Sequence, residues 1–134
     1  MTTSVVFYSG NLRTESQHLQ SGDRIITDAP IDNQGKGVAF SPTDLVATSL
    51  ANCMMTVMGI TANHHNIDIN GTRADVEKFM GVSPRRIVKI KFDFYFPLSY
   101  DTATKKLLET SALNCPVAKS LSESISQKIN FNYG

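Results

Sequence analysis

Val88, Ile90, Phe92, Phe94 and Phe96 occupy alternate positions, with Lys89, Lys91, Asp93 and Tyr95 between them. A period of two places each set on its own face of an extended strand, so the segment is predicted to be a strand with an apolar wall on one side and solvent on the other, closed by Pro97. Thr72, Ala74 and Val76 alternate against Arg73, Asp75 and Glu77 after a break at Gly71, which predicts a second strand exposed on one side. Val5 to Tyr8, Arg24 to Thr27 and the weakly alternating Ile125 to Tyr133 complete the strand candidates. The polar stretch Asn11 to Asp23 reads as a hairpin connection or an irregular loop, and Ala29 to Phe40, with Pro30, Gly35 and Gly37, as a loop.

The period changes after Ser41. Val46, Leu50, Cys53, Val57 and Ile60 recur at spacings of four and three, while Leu45, Met54, Met58 and Ala62 widen the apolar surface. A buried helix is therefore expected from about Pro42 to about His65. Its start is marked by Ser41 as N-cap, Pro42 at the first helical position and Asp44 in the first turn, where the helix dipole favours a negative charge. From Leu45 to Ile67 there is no Asp, Glu, Lys or Arg. The stretch reaches the length of a membrane span, but Thr48, Ser49, Asn52, Thr56, Thr61, Asn63, His64, His65 and Asn66 are too polar for hydrocarbon, so no membrane is expected. Asp101 to Ala112 reads as a further helix capped by Asp101 or Thr102, and a short one follows from Pro116, directly after Cys115, to about Ser124. The sum is α+β: a single domain over residues 1–134 with a mainly antiparallel sheet of about six strands, a long buried central helix and two shorter helices.

Composition narrows the chemistry. A chain of 134 residues, 41% hydrophobic and 19% charged, with Lys+Arg 13 against Asp+Glu 12, is not a disordered chain or a nucleic-acid binder that works by bulk charge. Lys78, Arg85, Arg86, Lys89 and Lys91 read as a solvated sheet face. Met1 to Gly10 lacks the basic and apolar regions of a signal peptide, so a cytoplasmic address is expected. His64 and His65 are adjacent and point about 100° apart on a helix, and His18 stands alone, so no metal site is expected and capping of the last helical carbonyls is the reading for His64 or His65.

The two cysteines, Cys53 and Cys115, are too few for a disulfide-stapled scaffold. They are either inert core residues or a reactive pair. Cys115 at a helix N-terminus meets unpaired N–H groups and the positive dipole end, which lower a thiol pKa. Cys53, in the middle of an apolar helix, is expected to have a raised pKa unless a cation compensates.

The run Phe40-Ser41-Pro42-Thr43-Asp44-Leu45, followed by Ala47, Leu50, Ala51 and Cys53, resembles the central helix of the OsmC and organic hydroperoxide resistance (Ohr) family. Asn114-Cys115-Pro116-Val117-Ala118-Lys119-Ser120-Leu121 resembles its second-cysteine motif, and the Ser-Pro-Thr-acid-Leu form is closer to the OsmC-like branch. The resemblance implies a thiol-dependent peroxidase and an intertwined homodimer with two active sites at the subunit interface. It implies that Cys53 attacks a small hydroperoxide and becomes a sulfenic acid, that Cys115 resolves it as a disulfide, and that a dithiol such as a lipoyl group reduces the product, with no bound cofactor. It further implies an activating arginine, matched to Arg13 with Arg24 as the runner-up, and an acidic partner. The family's glutamate position is Thr43 here, with Asp44 one residue later. Asp44 lies nine residues before Cys53, about 180° around an ideal helix, so either the first turn is irregular or Asp44 serves a site shared with another subunit. Dipole compensation is the structural alternative for Asp44. A thiol-bearing stress protein that binds small molecules with little peroxidase activity is the functional alternative for the chain.

Overall fold

The computed structural model describes all residues from 1 to 134, and they form two compact units, 1–46 and 47–134. The first holds β1 (Ser4–Gly10), β2 (Arg13–His18) and β3 (Arg24–Asp28) in an antiparallel sheet of order β1-β2-β3. β1 and β2 join through Asn11 and Leu12, both at positive φ (54° and 64°), with Gly10 opposite Arg13. Such a two-residue turn matches the right-handed twist of the strands it connects. β2 lies inside the stretch read as hairpin connection or loop. Its sequence, RTESQH, carries no apolar alternation, and main-chain pairing on both sides holds it extended. The segment after β3 is a loop with one 3-10 turn at Ile31–Asn33. It folds back on itself through Gly35 N–H to the Pro30 carbonyl and Gly37 N–H to the Ala29 carbonyl.

α1 (Pro42–His64) begins where the capping residues predict. Ser41 Oγ accepts from the Asp44 N–H at 3.1 Å, while the Asp44 carboxylate accepts from the Ser41 N–H at 3.0 Å. This reciprocal box satisfies two donors that would otherwise be orphaned at the helix start. The buried stripe is Ala47, Leu50, Ala51, Met54, Met58 and Ala62. It is rotated from the predicted one: Val46, Cys53 and Val57 flank it half-buried, and Ile60 is 55% exposed. The exposed face carries Asn52, Thr56 and Asn63 at helical spacing, and the buried stripe lies away from these polar groups. At its C-terminus, main-chain bonds from the His65 and Ile67 N–H groups to the Ala62 carbonyl close the helix with Asn66 left-handed (φ 53°), and His64 and His65 are exposed. Closure is therefore by backbone, in place of the expected histidine cap.

The second unit carries β4 (Arg73–Gly81), β5 (Arg86–Tyr95), α2 (Thr102–Leu113), α3 (Pro116–Ser120) and β6 (Ser126–Asn132). Its sheet has the order β4-β5-β6, antiparallel between β4 and β5 and parallel between β5 and β6. The helices α2 and α3 supply the crossover that a parallel pair requires. β5 is the central strand, which accounts for its strong alternation: Ile90, Phe92 and Phe94 are fully buried. The one departure is at its start, where a register shift at Phe79/Met80 makes Ile87 the buried residue and leaves Val88 half-buried against Gly81. Leu50, Met54 and Met58 of α1, Leu108 and Ala112 of α2 and the β5 aromatics form the core. The Thr61 and Ser111 hydroxyls hydrogen-bond at 2.7 Å and tie α1 to α2. The fold is α+β and mostly antiparallel, as expected, with its six strands divided into two sheets.

α2 is capped by Asp101, whose carboxylate accepts from the Thr104 N–H. α3 stops at Ser120, short of Ser124, because Leu121 is extended. Serines account for the early stop: Ser120 Oγ donates to the Pro116 carbonyl, and Ser122 Oγ accepts from the Ser124 N–H, local bonds that compete with further helix.

Candidate active site

Cys53 sits in the middle of α1 beside the buried stripe, and Cys115 is the N-cap of α3. Both thiols are free. Helix packing brings them together: the Cys53 thiol is close enough to act on the ionisation of Cys115, so residues far apart in sequence form one dithiol. Cys53, expected in the middle of the core, is half-buried, and Cys115 is wholly buried.

Cys115 also reverses the dipole argument. Burial pushes its pKa above the ordinary thiol value, and the adjacent Cys53 thiol pushes the same way. The N–H groups of Ala118, at 3.5 Å from the sulfur, and Val117 pull it down but do not prevail. α3 is only five residues long, so it aligns few peptide dipoles, and desolvation of the charged form dominates. The native structure thus holds Cys115 as a neutral thiol and leaves Cys53 as the sulfur that solvent can reach.

Arg13 and Asp44 belong to the first unit. Arg13 is clamped by Asp28, a residue that the sequence reading did not single out: Nε donates to Oδ1 at 2.7 Å and Nη2 to Oδ2 at 2.8 Å. Asp28 is 4% exposed, and the guanidinium holds its carboxyl below the usual carboxylate range while Arg13 is raised in turn. A cavity of about 300 Å3 borders the pair, lined also by Ser9, Asn11 and Lys36. The signal that would have found Asp28 is the β2–β3 register, in which Arg13 and Asp28 are directly opposite. Arg24, the runner-up, pairs instead with Glu15 at 2.6 Å, with both side chains exposed. Asp44 completes the capping box with Ser41, a structural role more specific than the dipole compensation weighed for it. Thr43, at the position of the family's glutamate, bonds the Ser41 hydroxyl at 3.2 Å.

A family model described as OsmC-like protein matches residues 34–130, a span that includes α1 and both cysteines. The chain belongs to the OsmC-like protein family. Its fold is also that of solved structures. A crystallised protein of Psychrobacter arcticus 273-4, described as a candidate osmotic stress induced and detoxification response protein, is 54% identical, with 98% of this chain and 96% of that one covered at a TM-score of 0.95. An organic hydroperoxide resistance protein OsmC of Legionella pneumophila is 15% identical, with 98% of each chain covered at a TM-score of 0.76. An organic hydroperoxide resistance protein of Elizabethkingia anophelis is 13% identical, with 100% and 98% covered, also at 0.76. At such identities the last two show the shared fold alone. No curated protein matches the sequence.

Proposed function

We propose that this OsmC-like protein is a thiol-dependent peroxidase for organic hydroperoxides and hydrogen peroxide, and that the juxtaposed thiols of Cys53 and Cys115 are its reacting pair. The carrying observation is that juxtaposition. Cys53, the more accessible sulfur, attacks as thiolate the terminal oxygen of the hydroperoxide. The O–O bond breaks, the alkoxide leaves and takes a proton as the alcohol, and Cys53 becomes a sulfenic acid. Cys115 then gives up its proton and attacks the Cys53 sulfur, and hydroxide leaves as water to give the disulfide. An external dithiol of lipoyl type reduces that disulfide by thiol exchange and is itself oxidised. One peroxide and one dithiol are thereby converted to one alcohol, one water and one disulfide. Arg13 is assigned the activating role that the family resemblance implies for it, since a guanidinium favours the charged form of a thiol. Asp44 is kept as a helix cap that shapes the start of α1.

The same reading makes the working form a homodimer with active sites at the subunit interface, in the cytoplasm. Its support is the first sheet, where Val6, Phe7 and Tyr8 of β1 are 61%, 57% and 68% exposed and Ile25 and Ile26 of β3 are 46% each. Apolar groups clustered in this way on a small sheet mark an interaction surface.

The deciding experiment titrates reduced protein with cumene hydroperoxide and with hydrogen peroxide and follows thiols and disulfide by intact mass. A Cys53–Cys115 disulfide at stoichiometric dose is expected, with Cys53→Ser inert and Cys115→Ser halted at the sulfenic acid. No disulfide with either oxidant leaves the small-molecule-binding reading. That reading draws on a cavity of about 250 Å3 in the first unit, lined by Tyr8, Leu12, Pro30 and Pro42 among others.

A further inference from the structure

We infer that the reductant attacks the Cys53 sulfur of the oxidised protein, so that the mixed disulfide forms on Cys53 and Cys115 departs as the leaving thiol. This rests on the peroxidase reading above for the disulfide itself. A thiolate attacks one sulfur of a disulfide and expels the other, and the choice between them depends on access as well as on leaving-group basicity. Access differs between the two sites. Cys115 has no exposed surface, whereas Cys53 is half-buried and Asn52 beside it in α1 is exposed.

The surroundings of Cys115 suit a departing sulfur. Its Sγ accepts from the Ala118 N–H at 3.5 Å, and this N–H and that of Val117 favour the thiolate form, so they receive the charge that develops as the S–S bond breaks. Burial acts the other way and holds Cys115 above the ordinary thiol value, which makes it a slower leaving group. That slows the step without redirecting it. Basicity scales the rate of an attack that geometry permits, and a sulfur with no exposed surface is not open to attack. With a dithiol as reductant, the first thiol loses its proton to solvent and bonds to the Cys53 sulfur, the electron pair of the S–S bond goes to Cys115, and Cys115 takes up a proton from water. The second thiol, deprotonated in turn, attacks the reductant's own sulfur in the mixed disulfide and expels Cys53 as thiolate. Two electrons pass to the protein, and the dithiol closes to a disulfide. Cys53 is thus released last, in the form that attacks the next hydroperoxide.

The test forms the Cys53–Cys115 disulfide in the wild-type protein with diamide, adds 2-mercaptoethanol, quenches with acid over a time course, caps free thiols with N-ethylmaleimide and maps both cysteines by peptide mass spectrometry. Cys115 stays close to Cys53 and re-attacks a mixed disulfide there, so the adduct ratio is extrapolated to zero time. An excess of about tenfold or more of 2-mercaptoethanol on Cys53, with N-ethylmaleimide on Cys115, is expected from the difference in access. An excess on Cys115, or equal adducts on the two, overturns the proposal while the peroxidase reading stands. If diamide forms the disulfide and neither cumene hydroperoxide nor hydrogen peroxide does, the peroxidase reading fails, and the mapping still decides which sulfur a thiol attacks. If diamide forms no disulfide, both fall.

Discussion

A disulfide between Cys53 and Cys115 would close a loop with 61 residues between the two cysteines, containing the end of α1, β4, β5 and α2. Closing such a loop removes about 14 cal/mol/K of entropy from the unfolded chain, or about 4 kcal/mol at 25 °C, in the chain-entropy account. A chain of 134 residues unfolds with about 0.28 kcal/mol/K of entropy near its midpoint, so the unstrained disulfide should raise Tm by roughly 15 °C. Strain reduces this, since Cys53 is held within α1 and Cys115 at the cap of α3, and a rise of roughly 5 to 15 °C is expected. The assay is a thermal melt of reduced and hydroperoxide-treated protein at equal concentration, with intact mass confirming the loss of two hydrogens and Cys115→Ser treated in parallel. The expected result is a higher Tm in the oxidised wild type and none in the variant. An oxidised chain that carries the disulfide yet melts no higher than the reduced one would refute the entropic reasoning.

Removal of the neighbouring thiol by Cys53→Ala should lower the pKa of Cys115 while leaving it above the ordinary thiol value, because burial persists; the pH dependence of Cys115 alkylation measures this. Since Asp28 is held below its ordinary pKa, its pairing stabilises the fold above the ordinary carboxylate range, and that contribution is lost as pH falls through the depressed value. Asp28→Asn should therefore flatten the acid limb of stability below about pH 4, read from denaturant midpoints across pH. Ser41→Ala removes the acceptor for the Asp44 N–H and should cost about 1 kcal/mol, or a few degrees in Tm. Phe92→Ala, at a site with no exposure, should cost roughly 3 to 5 kcal/mol by denaturant unfolding.

Local chemistry was legible wherever it acted through neighbours in sequence. The Ser41 box, Pro42, the Asp101 cap, the Cys115-Pro116 helix start and the alternation of Ile90, Phe92 and Phe94 all appear where the chain predicts them. β2 was not legible, because a strand of polar residues takes its shape from the partners on either side. Nor was the rotation of α1 read from its apolar positions; the polar Asn52, Thr56 and Asn63 mark the exposed face.

The thiols divide along the same line. The sequence by itself determined the family motifs, the length and start of α1 and the placing of each cysteine on its own element. Tertiary structure alone decided that the two sulfurs meet, that Cys115 and not Cys53 is the buried one, and that Asp28 clamps Arg13. The physical reason is distance along the chain. Capping and periodicity depend on residues a few positions apart, whereas desolvation and charge pairing depend on whatever packing and strand register bring close.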